Sequence, residues 1–462
     1  MASLRRSANS LSICTRLHRT TPITQSYTRN LSFLRRKPLT IPHSQSPLLR
    51  TEPVQEEEFP GYRSEDYYPA KPGEILADRY QLVTNLGRGM ASTVWLARDM
   101  RGYRWQQETV VALKIGNTNC DAEEHERTHE RHIPQSDATQ EGRVFLRTAL
   151  ESFVIESEAG RHLCLVYEAM RESMRDFRWR FVDARIPLPL MKLYIRMLLV
   201  GLDYLHCVCR MVHTDLKLDN IMMTFEDPSV LDEFTALQLK IPMDYKIDSA
   251  GRYVYLCHNE FGPLRKVRNI PKIVDFGSAI KLNPDAKCIW PIQPHHYRAP
   301  EVILGCGWNT GADVWNMGIL LWNLLQGSNL YTQVYDAQGY YNPRSHLAEM
   351  IALFGPPPPE MLARAREMSN QRWSPKIRMT GCNGKLCDTV EDLFDGPFFD
   401  EEGKFLYPDL IPERKLADTL SLLEGKDKED DFLDLTRKML VWDPTERSTA
   451  AELAEHPAHQ DD

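Results

Sequence analysis

The sequence predicts an α+β fold in two lobes, a small β-rich lobe followed by a larger helical one. Two observations carry that prediction. Between Tyr80 and Glu168 the chain is β-branched and alternating, with glycine between the runs. RYQLVTNLGRGMASTVWLARD, ETVVALKI and AGRHLCLVYE read as strands. After Pro187 the apolar residues recur every three or four positions, first in PLPLMKLYIRMLLVGLDYLH and then over 311–326, 343–354 and 431–440, which read as helices. At 462 residues the chain is long enough for two such lobes. No internal repeat is visible.

The remainder of the chain divides by composition. Residues 1–51 hold nine Arg or Lys and no Asp or Glu, which leaves −17 of the total charge of −8 on the rest. That Arg- and Ser-rich, acid-free arm fits a mitochondrial transit peptide and equally a disordered basic tail. The corresponding locations are the mitochondrion, or the cytoplasm and nucleus. Residues 52–79 read as a Pro- and Glu-rich linker or N-terminal extension, with the folded region beginning near Tyr80. The small lobe is placed at 80–170 and the large lobe at 171–462, with an insert at about 224–272. The ten cysteines form no CxxC pairs and read as reduced thiols. The longest apolar run, Met317 to Leu325, is too short to span a bilayer. No membrane or direct nucleic-acid partner is expected; the acidic body favours basic protein partners, and a monomer suffices.

Two glycines punctuate the first pair of strands. In Gly87-Arg88-Gly89-Met90-Ala91-Ser92-Thr93-Val94 they would let backbone N–H groups approach phosphates closely. Gly-x-Gly in a hairpin is often only a turn, but Val110-Val-Ala112-Leu-Lys114 follows one strand later, with a lysine placed for the α and β phosphates. That lysine needs a carboxylate from the next helix. CDAEEHERTHERHI offers Glu123, Glu124, Glu126 and Glu130; Glu126 is preferred because Ile133, seven residues on, would pack against the following strand. Leu163 to Met170 reads as the strand and hinge holding adenine, with Tyr167 at the back of the pocket and Glu168 and Met170 at the hinge. Leu86, Ala112 and Met222 complete the candidate ATP site.

The most specific signal is His213-x-Asp215-x-Lys217-x-x-Asn220 followed by Asp275-Phe-Gly. Phosphoryl transfer rests on positioning and charge neutralisation, so a carboxylate, an amide and lysines around metal ions suffice. Asp215 is the candidate base, Lys217 the phosphoryl stabiliser, and Asn220 and Asp275 the ligands of magnesium. Tyr297-Arg-Ala-Pro-Glu301, the helix opened by Asp313, and Arg447, placed to pair with Glu301, separate a protein kinase from a small-molecule kinase. The expectation is an ATP- and magnesium-dependent serine/threonine protein kinase. A pseudokinase scaffold that binds ATP is the alternative, favoured if the polar helix cannot seat Glu126 and Ala91 at the loop tip leaves ATP poorly covered.

Thr214 stands where many kinases carry an arginine that binds a phosphate on the activation segment. Between Asp275 and Glu301 the only hydroxyls are Ser278 and Tyr297, each inside a motif. The segment is therefore expected to be ordered by its own packing, through Trp290, Ile292 and Pro294, and the enzyme to be active without activation-loop phosphorylation. LGRGMASTVWLARD, YYPAKPGE, GLDYLH with HTDLK, and HLAEMIALFGPPP resemble the serine/arginine-protein kinase family over residues 62–457. The resemblance implies the two-lobed protein-kinase fold, phosphorylation of Arg/Ser-rich splicing factors, and a spacer between Asn220 and Asp275.

Overall fold

The computed structural model describes residues 34–44, 46–48, 63–89, 91–118, 121–137, 141–248, 251–283, 287–375, 377–381, 385–419 and 426–459. The small lobe is an antiparallel sheet of β1 (Ile75–Leu76), β2 (Tyr80–Arg88), β3 (Ser92–Asp99), β4 (Val110–Gly116), β5 (Glu151–Ser157) and β6 (Gly160–Glu168), in the order β1-β2-β3-β4-β6-β5. Opposite Lys114 stand Val94 on one side and Leu165 on the other, so the lysine lies in the middle of the sheet. β5 was not among the expected strands. ESFVIES alternates as an edge strand should, but it buries little and its signal is weak.

Helix α1 (Asp121–Gln135) packs on this sheet. Its inward residues are Glu126, Glu130 and Ile133. Ile133 does not pack against the following strand, as expected, but joins the core of the large lobe with Leu146, Leu198 and Tyr204. A helix that spans the two lobes buries its end in the larger core, and periodicity does not show which core that is.

The large lobe is built around the helices Leu188–Asp203 and Gly311–Gln326. Every residue from Gly311 to Leu325 is buried, which explains the all-round apolar run read from the sequence. Gly318 permits that burial: a Cβ there would stand 2.6 Å from Leu440 Cδ2. The helices Pro343–Phe354 and Lys426–Met439 lie close to the expected positions.

Two segments expected outside the domain belong to it. Part of the basic arm, residues 34–44, lies against the small lobe: Leu39 exchanges backbone bonds with the Gln81 side chain at 3.0 and 2.7 Å, and Ile41 is buried beside Val83 and Leu96. In the stretch read as a linker, Tyr67 and Ala70 are buried and β1 pairs with β2, so the fold begins before Tyr80. Residues 1–33, on which the transit-peptide expectation mainly rests, fall outside the described residues.

The insert is also folded. Its helix Pro228–Gln238 places Val230 and Phe234 against Val83 and Leu96 of the small lobe. Its hairpin, Tyr245–Ile247 with Tyr253–Tyr255, sets Tyr255 edge-on to Trp95 at 5.9 Å. His258 N–H donates to the Asn85 carbonyl at 2.7 Å. The insert leaves and rejoins the large lobe between the paired strands Ile221–Met223 and Pro271–Ile273.

Candidate active site

The glycine turn lies between β2 and β3. Gly87 N–H is held by Asn85 Oδ1 at 3.0 Å, and Gly89 N–H donates to the Ser92 carbonyl at 2.8 Å. Among the described residues a Cβ on Gly87 would meet nothing within 4 Å, which leaves room beside this backbone that a phosphate could enter. The Ala91 carbonyl accepts Asn117 N–H at 2.7 Å. Ser92 and Thr93 are buried, and Arg88 starts the turn at the end of β2. Met90 lies outside the described residues. Beneath the turn, Leu86 and Val94 pack with Ala112, Leu163, Leu165 and Tyr167 in one apolar cluster. Four of the expected nucleotide-site residues, Leu86, Val94, Ala112 and Tyr167, are thus brought together. Met170 is buried at the hinge, and Met222 lies on the strand Ile221–Met223. Glu168 is engaged elsewhere: its carbonyl accepts from Arg147 at 2.9 and 3.1 Å, and its carboxylate pairs with Lys272 at 2.8 Å.

Lys114 Nζ donates to Glu126 Oε2 at 2.6 Å and stands 3.8 Å from Asp275 Oδ1. Among the four glutamates offered by the sequence, Glu126 is therefore the partner. Burial alone would lower the lysine's pKa, but Glu126 and Asp275 outweigh it and hold the ammonium charged. Burial likewise pushes Asp275 up, and Lys114 with His213 overrides it, so the carboxyl is held below its usual range. The Tyr167 hydroxyl reaches both Glu126 and Glu130, a contact that spacing alone did not suggest.

Below the sheet, Lys217 Nζ donates to both Asp215 oxygens at 3.0 and 2.8 Å. Asn220 Nδ2 donates to the Asp215 carbonyl and to its Oδ2, each at 2.9 Å. The amide nitrogen is thereby committed, and its oxygen is the group left for a hard cation. An amide oxygen with the Asp275 carboxylate suits magnesium, which takes few protein ligands and completes its shell with phosphate and water. Among the described residues no cluster of three His, Cys, Asp or Glu side chains offers a rival metal site.

The loop carrying Asp215 is held from the N-terminus of helix Gly311–Gln326. Asp313, fully buried, accepts His213 N–H at 2.6 Å and Thr214 N–H at 2.9 Å, and its Oδ2 is 2.9 Å from His206 Nε2. Asn316 donates to the Leu216 carbonyl at 3.0 Å. The sequence marked Asp313 only as the start of a helix. His213 also contacts the Val274 carbonyl at 3.0 Å and lies 5.4 Å from the Phe276 ring, linking the loop to Asp275.

Thr214 takes part in the same linkage. It has φ 68°, and its hydroxyl donates to the Ser278 carbonyl at 2.7 Å. The segment beyond is packed: Trp290 meets Trp308 edge-on at 5.1 Å, Trp308 Nε1 donates to the Trp290 carbonyl at 2.7 Å, and Gln293 Oε1 accepts Ala299 N–H at 2.8 Å. Asp215, Lys217, Thr214 and the stretch Trp290–Pro294 line an open cleft of about 570 Å³. Glu301 and Arg447, both fully buried, form a two-pronged ion pair at 2.7 and 2.6 Å.

Residues 80–458 match the family described as protein kinase domain. A serine/threonine protein kinase of Aspergillus fumigatus is 31% identical over 414 residues, 87% of this chain and 90% of that protein. The serine/threonine-protein kinase SRPK of Physarum polycephalum is 29% identical over 416 residues, 86% of this chain and 89% of that one. The kinase AFC1 of Arabidopsis thaliana is 29% identical, covering 86% and 75%. A crystal structure of a kinase domain superposes with a TM-score of 0.59 at 21% identity, over 86% of this chain and 99% of the other, which bears on the fold alone. The chain belongs to the protein kinase family, among the serine/threonine kinases of SR-protein-kinase type.

Proposed function

We propose that the enzyme transfers the γ-phosphoryl group of ATP to serine in Arg/Ser-rich protein segments, and that it does so without a phosphate on its activation segment. The observation that carries the catalytic reading is the Asp215–Lys217–Asn220 cluster, whose Asp215 and Lys217 face the open cleft, together with the Lys114–Glu126 pair. A substrate hydroxyl in the cleft would give its proton to Asp215, while Lys217 offsets charge on the transferring group. Lys114, held in place by Glu126, would anchor the α and β phosphates. Asn220 and Asp275 would hold magnesium, which supplies charge neutralisation on the phosphates when bound.

The substrate class is supported by the acidic body, at −17 outside the basic arm. The SR-protein-kinase names of relatives agree with it. Independence from phosphorylation is supported by the Thr214–Ser278 bond and by the Trp290–Trp308 packing, which hold the segment through groups of the unmodified chain. The test is radiolabelled ATP transfer by the full chain to an Arg-Ser repeat peptide, beside Asp215→Ala. Transfer should fall by about 10²–10⁴-fold in the variant while ATP-dependent thermal stabilisation persists. ATP binding with no transfer to any peptide would favour a scaffold instead. Phosphopeptide mapping that found an obligatory phosphate between Asp275 and Glu301 would overturn the independence.

A further inference from the structure

Helix α1 carries two buried carboxyl groups one turn apart, Glu126 at 3% and Glu130 at 2% exposure. A helix packed against a core ordinarily presents apolar side chains at such positions. One phenol joins the two acids: Tyr167 Oη lies 2.8 Å from Glu126 Oε1 and 2.9 Å from Glu130 Oε1. A phenol has a single proton to donate. Burial first, and then the Glu126 carboxylate beside it, hold the Tyr167 pKa well above its ordinary value, so that proton stays on the ring oxygen. Tyr167 can therefore satisfy one carboxylate only. The second close contact is a hydrogen bond when the other carboxyl brings its own proton. Two ionised acceptors on one buried hydroxyl would leave an uncompensated charge.

Geometry decides which acid is neutral. Glu126 Oε2 receives the Lys114 ammonium at 2.6 Å, so Glu126 is the ionised member. Glu130 Oε2 accepts Ala149 N–H at 2.8 Å, as the carbonyl oxygen of a neutral carboxyl does, and Oε1 is left to carry the hydrogen. We propose that Glu130 is held neutral in the folded enzyme and donates to Tyr167, whose hydroxyl donates to Glu126, making Glu130 and Tyr167 positioning residues for the carboxylate that holds Lys114.

The charged groups around Glu130 are consistent with this. On its own helix stand Glu126 and His129, the latter turned toward the Phe276 carbonyl at 3.1 Å. From β4 comes Lys114, shared with Asp275 at 3.8 Å. From β6 comes Tyr167, and Arg147, ahead of β5, lies over its ring at 4.3 Å. Burial first, and then the charge on Glu126, push Glu130 up to about 8, against Ala149 N–H, Tyr167 and Lys114. The sign follows from a folded value above the ordinary 4.5: the stability tied to this proton is fully present below 4.5 and is lost as the pH rises through about 8. Once ionised, Glu130 competes for the Tyr167 proton and loosens Glu126.

The catalytic consequence rests on the reading of Lys114 as the ATP anchor; the proton itself does not. Two readouts therefore separate them. Difference infrared spectroscopy of the full, nucleotide-free chain against Glu130→Gln should show a protonated-carboxyl band at neutral pH, lost through about pH 8 and absent from the variant. In kinetics, wild-type kcat/KM for ATP should fall above that pH by up to about tenfold per unit, as loss of one proton requires. Glu130→Gln should lack this limb, because a glutamine offers an N–H to Tyr167 and a carbonyl to Ala149 at every pH. A purely structural role would lower the whole curve and leave its shape. Wild type that shows no protonated-carboxyl band lost between neutral pH and a pH above about 8 overturns the proposal, and this pH-difference spectrum is recorded on wild type alone, so it stands even if the variant fails to fold. A variant that keeps the alkaline limb overturns the positioning role.

Discussion

At Thr214 a neutral side chain ties the loop carrying Asp215 to the segment that follows Asp275. Its hydroxyl reaches the Ser278 carbonyl at 2.7 Å, and its N–H is held by Asp313 at 2.9 Å. A β-branched residue at φ 68° is strained by roughly 1–2 kcal/mol, so the surrounding bonds must over-determine it. Thr214→Val keeps the shape and removes the hydroxyl. It should lower stability by about 1 kcal/mol in urea denaturation, and more if the Ser278 carbonyl finds no new donor. That Lys114 would stand near Asp275, and Asn220 near Asp215, was legible in the sequence because the spacing of those motifs is fixed. Glu130 was not. A glutamate in a helix as charged as CDAEEHERTHERHI reads as solvated, and only the depth of the helix shows otherwise.

Among elements, the short helix Pro300–Leu304 and the loop after Lys426–Met439 are joined by Glu301 and Arg447, with neither side chain exposed. Arg447 also donates to the carbonyls of Gly311, Val441 and Trp442, so its removal strips several acceptors at once. Arg447→Met should cost about 3–5 kcal/mol, because it leaves a buried carboxylate without a counter-charge. The double variant with Glu301→Met should recover part of that loss, and equilibrium denaturation of all three proteins checks it. Helices Gly311–Gln326 and Pro343–Phe354 were legible to within a residue, since long apolar periodicity is the strongest local signal. β5 was not, because an edge strand of half-exposed residues leaves little pattern to read.

For the molecule as a whole, the insert couples the two lobes at a second place, beside helix α1. A chain segment rooted in the large lobe places Phe234, Tyr245 and Tyr255 in the apolar clusters of the small one. The two lobes should accordingly unfold in one calorimetric transition. Replacing residues 228–266 by a short flexible loop should split that transition in two, with the small lobe melting first; a single unshifted peak would show that the contacts carry little. None of this was legible beforehand, because contacts between residues 95 and 255 depend on the closed fold and leave no mark in local sequence. The geometry at the base of the insert has a practical side. The chain departs after Met223 and returns at Pro271 across one antiparallel pair, with Val274 N–H bonded to the Asn220 carbonyl at 3.0 Å. The distance between Asn220 and Asp275 is thus set by that pair, whatever lies between. The hairpin tip at Gly251 is consequently a splice point: a reporter domain grafted there would be anchored in one lobe, rest on the other, and register their relative movement without touching the chemistry.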